Sequence, residues 1–372
     1  MRQKLFSFER VFMLNWPAIC LMTLLACIGF AMLYSAAEGS FSPWAYRQML
    51  RFALLFPVML VIAVVDIRFW FKSAYVIYFL VLLALVLTEF FGVTAMGATR
   101  WLRLGPFNIQ PSEIAKVSVV FALAHYFHTV SSANVGKILY LIPPLLMVAV
   151  PSLLIMKQPD LGTALILLMV AGAMFFVSGV KLWKFGAVIF VGVVSLPFVI
   201  SHLHDYQKKR VLAFLSPESD PMGHGYNILQ SKIAIGSGGL FGKGFLKGTQ
   251  SQLSFLPEKQ TDFIFTMLTE EFGFVGGVVI LCLYAMLIIY GLYVAVNSKS
   301  HFGRLMAVGV TSIFFFHIFV NVAMVMGLIP IVGAPLPLIS YGGTIMVTIL
   351  VAFGLLLNAN LYEEASFGKD ID

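Results

Sequence analysis

Leu14-Asn15-Trp16-Pro17-Ala18-Ile19-Cys20-Leu21-Met22-Thr23-Leu24-Leu25-Ala26-Cys27-Ile28-Gly29-Phe30-Ala31-Met32-Leu33-Tyr34 is a predominantly apolar run with no charged residue. Arg2, Lys4 and Arg10 precede it and Ser35-Ala36-Ala37 follow it, so its flanks imitate a secretory signal. Its length decides otherwise. The apolar core of a signal peptide is about 7–15 residues, whereas a helix crossing a bilayer needs about 20. The run is read as an uncleaved first membrane span, and that reading sets the class of everything after it.

Further segments of the same kind follow, near 51–66, 74–92, 113–129, 138–156, 161–180, 184–202, 263–295, 305–328 and 337–359. With the first, at 14–35, they predict an all-α polytopic membrane protein of about ten transmembrane helices, a single transmembrane domain over 1–372. Composition agrees. Hydrophobic residues make up 60% and charged residues 11%, against about 25% charged in a soluble domain. The net charge of +7 is spread between apolar segments rather than gathered into a basic stripe, which argues against a nucleic-acid partner. Cys20, Cys27 and Cys282 all lie in apolar runs and predict neither disulfides nor a zinc site.

Orientation follows from the short loops. With the N-terminus inside, ten cations (Arg2, Lys4, Arg10, Arg68, Lys72, Lys137, Lys181, Lys184, Lys299, Arg304) face the cytoplasm, against five outside (Arg47, Arg51, Arg100, Arg103, Lys157). The positive-inside rule then predicts both termini in the cytoplasm. It also puts the one long polar segment, 203–262 between spans seven and eight, on the extracytoplasmic side. Loops of that length usually carry function. This one holds a run at helical spacing, Tyr226 to Ile235 and including Ser231, then the glycine-dense Gly236-Ser237-Gly238-Gly239-Leu240-Phe241-Gly242-Lys243-Gly244. The glycine stretch lacks the Gly-Lys-Ser/Thr ending of a nucleotide loop, but its backbone N–H groups are candidates for holding an anion.

Asp262 stands where this loop meets an apolar helix. Two readings are open there: a helix N-cap, or a partly desolvated carboxylate whose pKa is raised toward the range of a general base. Glu270 and Glu271 follow on the same helix, as functional groups or as wet residues of a helix longer than the bilayer. Glu113 and Lys116 share one helix face at i,i+3. Gln110-Pro111-Ser112-Glu113 and Gln158-Pro159-Asp160-Leu161 echo each other, each leading from outside into a span. They are either two ordinary helix starts or matched entries lining one outward cavity. No His-x-x-x-His pair predicts a metal, and no metal ligand is named.

Longer motifs carry a resemblance. Gly97-Ala98-Thr99-Arg100-Trp101-Leu102-Arg103-Leu104-Gly105-Pro106, with Gln110 to Lys116, resembles the SEDS family of shape, elongation, division and sporulation proteins. So do Gln158 to Gly162, Ala234 to Gly239, Leu256-Pro257-Glu258 with Thr261-Asp262-Phe263-Ile264-Phe265, and Leu336-Pro337-Leu338-Ile339-Ser340-Tyr341-Gly342-Gly343. The match runs through nearly the whole chain, and Gly248 to Leu253 looks like the rod-elongation branch. Thr344 departs from the family's usual Ser, and Lys259-Gln260 from its usual basic-His pair.

The resemblance implies a peptidoglycan glycosyltransferase of the bacterial cytoplasmic membrane. It would polymerise lipid II into glycan strands on the outer face, during elongation and rod-shape maintenance. The family's proposed catalytic Asp falls on Asp262. Arg100, Arg210, Lys116, Glu113, Asp160, Lys243 and Ser231 are the substrate-binding candidates, Arg being suited to phosphate oxygens. A divalent cation, Mg or Mn, is the one cofactor considered. Expected partners are lipid II, the growing strand, a class B penicillin-binding transpeptidase and other membrane proteins of the elongation complex. The competing class is a lipid II flippase, suggested by the span count, intramembrane charges and the glycines and prolines from Gly327 to Pro337. A scaffold without activity is the third.

Overall fold

The computed structural model describes residues 9–95, 98–105, 107–202, 205–219, 223–249 and 258–365. Parts of the quoted motifs, among them Gly97, Pro106 and 250–257, lie outside the described residues, as do Arg2, Lys4 and Leu203. Helices dominate. In chain order they are α1 Glu9–Phe12, α2 Trp16–Ala36, α3 Ala45–Val64, α4 Ile67–Phe91, α5 Pro111–Thr129, α6 Ser132–Val135, α7 Ile138–Lys157, α8 Leu161–Val177, α9 Leu182–His202, α10 Asp205–Leu215 and α11 His224–Ser237. The chain then continues through α12 Ile264–Asn297, α13 His301–Val325 and α14 Gly343–Leu361.

A helix stands at each of the ten segments read from the sequence. Among the described residues, seven are long and apolar enough to cross a membrane: α2, α3, α4, α7, α12, α13 and α14. α8 is a shorter apolar helix, and α9 is apolar over Leu182–Ser195. α5 carries Glu113 and Lys116 and is more polar than the rest.

Helix starts are set by local chemistry. The side chain of Asn15 accepts from Ala18 N at 3.1 Å and opens α2; Asp66 accepts from Arg68 N at 2.8 Å and opens α4; Ser300 accepts from Gly303 N at 2.9 Å and opens α13. Each supplies an acceptor to a backbone N–H the helix cannot satisfy itself. At the centre, α13 and α14 are buried along most of their length. α13 packs on α12, α5 and α8, and α14 packs on α3. Asn358 of α14 fastens that pair by donating to Ala63 O at 2.9 Å. The outer helices turn Phe79, Leu80, Leu83, Val188, Ile189 and Phe190 outward, as side chains meant for lipid do. Cys20, Cys27 and Cys282 lie among these exposed surfaces as free thiols.

Two features depart from the sequence reading. A small antiparallel sheet, β1 Val93–Ala95, β2 Ala98–Leu104 and β3 Phe107–Ile109 in the order β1-β2-β3, fills the connection from α4 to α5. The last helix starts at Gly343, not near 337, because Pro335 and Pro337 and a positive φ at Leu338 keep the preceding segment non-helical.

Candidate functional site

Asp262 lies in a turn, 258–263, just before α12. The N-cap of α12 is Phe263, which makes no side-chain capping bond, so the capping reading of Asp262 is not what the structure shows. The turn is held by the 326–342 connection. Ser340 Oγ donates to Thr261 O at 2.6 Å, and Tyr341 N donates to Gln260 O at 2.8 Å. Asn321 Nδ2, from α13, donates to Asp262 O at 2.9 Å. A methyl group placed on Gly333 would sit 3.4 Å from Asp262 Oδ2, so the glycine backbone walls one side of the carboxylate.

Asp262 is half-buried, and its pKa is pushed up to about 6 by burial first and by Glu258 second, against the pull of Arg210. A carboxylate in that range is ionised near neutral pH and still basic enough to accept a proton. Arg210, on α10, is a cation that acts on the Asp262 carboxylate.

The two echoed helix entries meet. Gln110 Nε2 donates to Asp160 Oδ2 at 2.8 Å and Ser112 Oγ to the same oxygen at 3.2 Å. Asp160 also caps α8 through Thr163 N at 3.3 Å. Arg100, on β2, donates to Gln158 O at 3.2 Å and to Pro159 O, and stands 4.0 Å from Asp160 Oδ1. The sheet thus delivers Arg100 to the α7–α8 corner, a role hydropathy alone does not reveal. Below that corner Lys116 Nζ bonds Glu113 Oε1 at 2.9 Å and lies 2.5 Å from His317 Nε2. Thr344, the family departure, keeps its hydroxyl at work by accepting from Gln110 N at 3.2 Å.

The remaining sequence candidates take other places. Ser231 is fully buried and locks α11 to α12 and α13, bonding Thr266 Oγ1 and Val325 O, each at 2.7 Å. Lys243 pairs with Glu270 at 2.8 Å and donates to Thr249 at 2.7 Å. Glu270 and Glu271 are buried, so the reading that left them in water is corrected. The cause is the glycine loop. α12 breaks at Gly273, with φ 69° and ψ −166°, and the loop bridges the break. Lys243 N and Gly244 N donate to Glu270 O and Glu271 O at 3.0 and 2.9 Å. Phe274 N and Val275 N donate back to Gly239 O and Leu240 O at 2.9 and 3.1 Å. Those two loop N–H groups are spent on the helix, which corrects their expectation as anion donors. Among the described residues no three His, Cys, Asp or Glu side chains are grouped to hold a metal ion.

The residues around Asp262 that sequence reasoning missed are Asn321, Gly333 and Ser340. For Gly333 and Ser340 the signal was the glycine and proline density from Gly327 to Gly343, which reads as a broken helix without saying what it leans on, whereas Asn321, in the apolar run of α13, carried none.

Comparison with known proteins places this arrangement. Peptidoglycan glycosyltransferase MrdB of Escherichia coli K12 is 40% identical over 353 residues, covering 94% of each chain. Peptidoglycan glycosyltransferase RodA of Treponema pallidum is 33% identical, covering 93% of this chain and 98% of its own. Among solved structures, a chain from a work on the structural coordination of polymerization and crosslinking by a peptidoglycan synthase complex superposes with a TM-score of 0.83. It is 30% identical and covers 95% of this chain and 99% of that one. The rod shape determining protein RodA of Thermus thermophilus is 28% identical with a TM-score of 0.70, covering 94% and 97%. The family model of the FtsW, RodA and SpoVE cell cycle proteins matches residues 13–365, and the chain belongs to that family.

Proposed function

We propose that this protein is a peptidoglycan glycosyltransferase that polymerises lipid II, with Asp262 as general base. The observation that carries the assignment of the base is a half-buried carboxylate with a pKa near 6, in a chain 40% identical to a named glycosyltransferase of this kind. A hydroxyl of one lipid-linked sugar attacks the anomeric carbon of the other. The new glycosidic C–O bond forms as the C–O bond to the pyrophosphate breaks, and the electron pair leaves on the pyrophosphate. Asp262 takes the hydroxyl proton. One base and a good leaving group suffice for a single inverting displacement, so a second carboxylate nucleophile is not required. Arg210 stabilises the departing negative charge. Arg100, Lys116, Glu113 and Asp160 support the neighbouring helix entries.

The likeness to peptidoglycan glycosyltransferases supports the bacterial cytoplasmic membrane as the location, and the cation count of the short loops supports an extracytoplasmic active side. A class B penicillin-binding transpeptidase is the expected partner, supported by the likeness to a chain from a complex that couples polymerization to crosslinking.

The test is strand synthesis by purified protein given lipid II. Loss of a general base typically removes about 10²–10⁴ of the rate, and Asp262→Asn is expected to fall in that range while folding normally. Wild-type rates in that variant would sink the base assignment. Transfer of labelled lipid II across a vesicle membrane without polymer would favour the flippase instead.

A further inference from the structure

Asp262 is held from behind by a residue on a neighbouring helix. Asn321 is fully buried on α13, and its one amide nitrogen makes two bonds. It donates to Asp262 O at 2.9 Å and to Ala334 O at 2.7 Å. Ala334 adjoins Gly333, whose backbone walls the Asp262 carboxylate. A single side chain therefore ties the catalytic turn to the segment that faces its carboxyl group. An amide NH₂ has two donors, and both find acceptors here. Among the described residues, the buried Asn321 Oδ1 atom has no hydrogen-bond partner. A buried amide kept at the cost of an unpaired acceptor points to the geometry its donors enforce.

One turn earlier on the same helix stands His317. Its Nε2 lies 2.5 Å from Lys116 Nζ and its Nδ1 lies 3.4 Å from Pro335 O. An ammonium can only donate, so Lys116 fixes Nε2 as the acceptor and leaves the ring proton on Nδ1, toward Pro335. His317 and Asn321 thus reach adjacent carbonyls, those of Pro335 and Ala334. Ser340 holds the far end of the connection to Thr261 O at 2.6 Å.

We infer that Asn321 is a positioning residue for the reaction, pinning the Asp262 turn and the Gly333 wall in register so that the carboxylate stays partly stripped of water. The inference rests on the reading of Asp262 as general base. Without the clamp the turn and wall part, water reaches the carboxylate, and its basicity falls. Among the described residues, Glu258, on the same turn, and Arg210, on α10, are the charged groups that act on Asp262 directly. Asn321 is neutral, so its removal changes no charge at the site and acts through hydration and placement alone.

The experiment compares wild type, Asn321→Ala, Asn321→Ser and Asp262→Asn in lipid II polymerisation, with kcat, KM and the pH–rate profile measured for each. Thermal melting of the purified proteins reports folding. The expected result for Asn321→Ala is a kcat lowered by about 10-fold or more at a KM within about 2-fold of wild type. The acidic limb of its profile moves to lower pH than the wild-type limb near 6. Asn321→Ser keeps one donor and opens less space, so it should lie between the two. It carries the comparison should the alanine variant fail to fold. A merely structural residue would lower the melting temperature and the active fraction while leaving the limb in place, and that result overturns the inference. So does a wild-type kcat and limb in either Asn321 variant beside an inactive Asp262→Asn. An active Asp262→Asn would instead remove the base assignment on which the inference stands.

Discussion

At Asp262 the decisive quantity is a proton affinity. The carboxyl group has a pKa of about 6, above its ordinary value near 4, because burial and Glu258 disfavour its charged form. A base works only when deprotonated. The polymerisation rate is therefore expected to rise through pH 5 to 7, with its midpoint near 6, and to lose about tenfold per unit on the acid side. Glu258→Gln removes the neighbouring charge that helps raise the pKa, so its midpoint should move to lower pH in the same measurement. How much of this was legible in sequence is instructive. The position of Asp262 at a boundary between polar loop and apolar helix signalled partial desolvation, and the motif around it signalled a role. The choice between cap and base was not legible, because it turns on where α12 begins, and Phe263 takes the capping place. Asn321 was invisible for a related reason. It lies 59 residues away along the chain, and nothing in a helical run of apolar residues tells which carbonyl one amide will reach.

Among the elements, the broken helix and its loop carry the clearest consequence. Gly273 has φ 69°, and a methyl group on it would lie 2.4 Å from Gly242 N. Backbone held in this region costs an L residue roughly 1–3 kcal/mol, and the contact with Gly242 adds to it. Gly273→Ala is expected to lower the melting temperature of the purified protein and to loosen the loop. Hydrogen exchange at the amides of Lys243 and Gly244 would report the loosening, since they donate across the break. The glycine density of 236–244 was plain in the sequence, and so was its resemblance to a motif. Its use was not, because an N–H group looks the same whether it meets an anion or a carbonyl. The small sheet escaped for another reason. A strand such as Ala98–Leu104 is too short for hydropathy to separate from a loop, and its purpose, placing Arg100 against the α7–α8 corner, lies in the pairing.

Taken whole, the bundle was legible nearly helix by helix, because lipid demands the long apolar runs that hydropathy detects. Which helices sit at the centre was not, since buried and lipid-facing surfaces are equally apolar here. The charged interior of α5 gives one test at this scale. Lys116 is fully buried and its partner Glu113 nearly so. Removing one member of a buried pair commonly costs about 3–5 kcal/mol, whereas replacing both is often close to neutral. Lys116→Met should unfold at markedly lower temperature than wild type. The double variant Glu113→Gln, Lys116→Met should recover much of the loss, read by melting in detergent.

The same helix bears on how the chain enters its membrane. A lone Lys or Asp at the centre of an inserting segment costs about 2.5–3.5 kcal/mol on the translocon scale, and α5 brings two charges, Glu113 and Lys116. Pairing Glu113 with Lys116 one turn apart lets the segment arrive already neutralised. Its packing against α4, the span made immediately before it, gives it a companion while the rest of the chain is still on the ribosome. His317, which completes the environment of Lys116, is synthesised 201 residues later. The surroundings of the buried lysine are therefore complete only with α13 in place, a helix encoded long after α4 and α5.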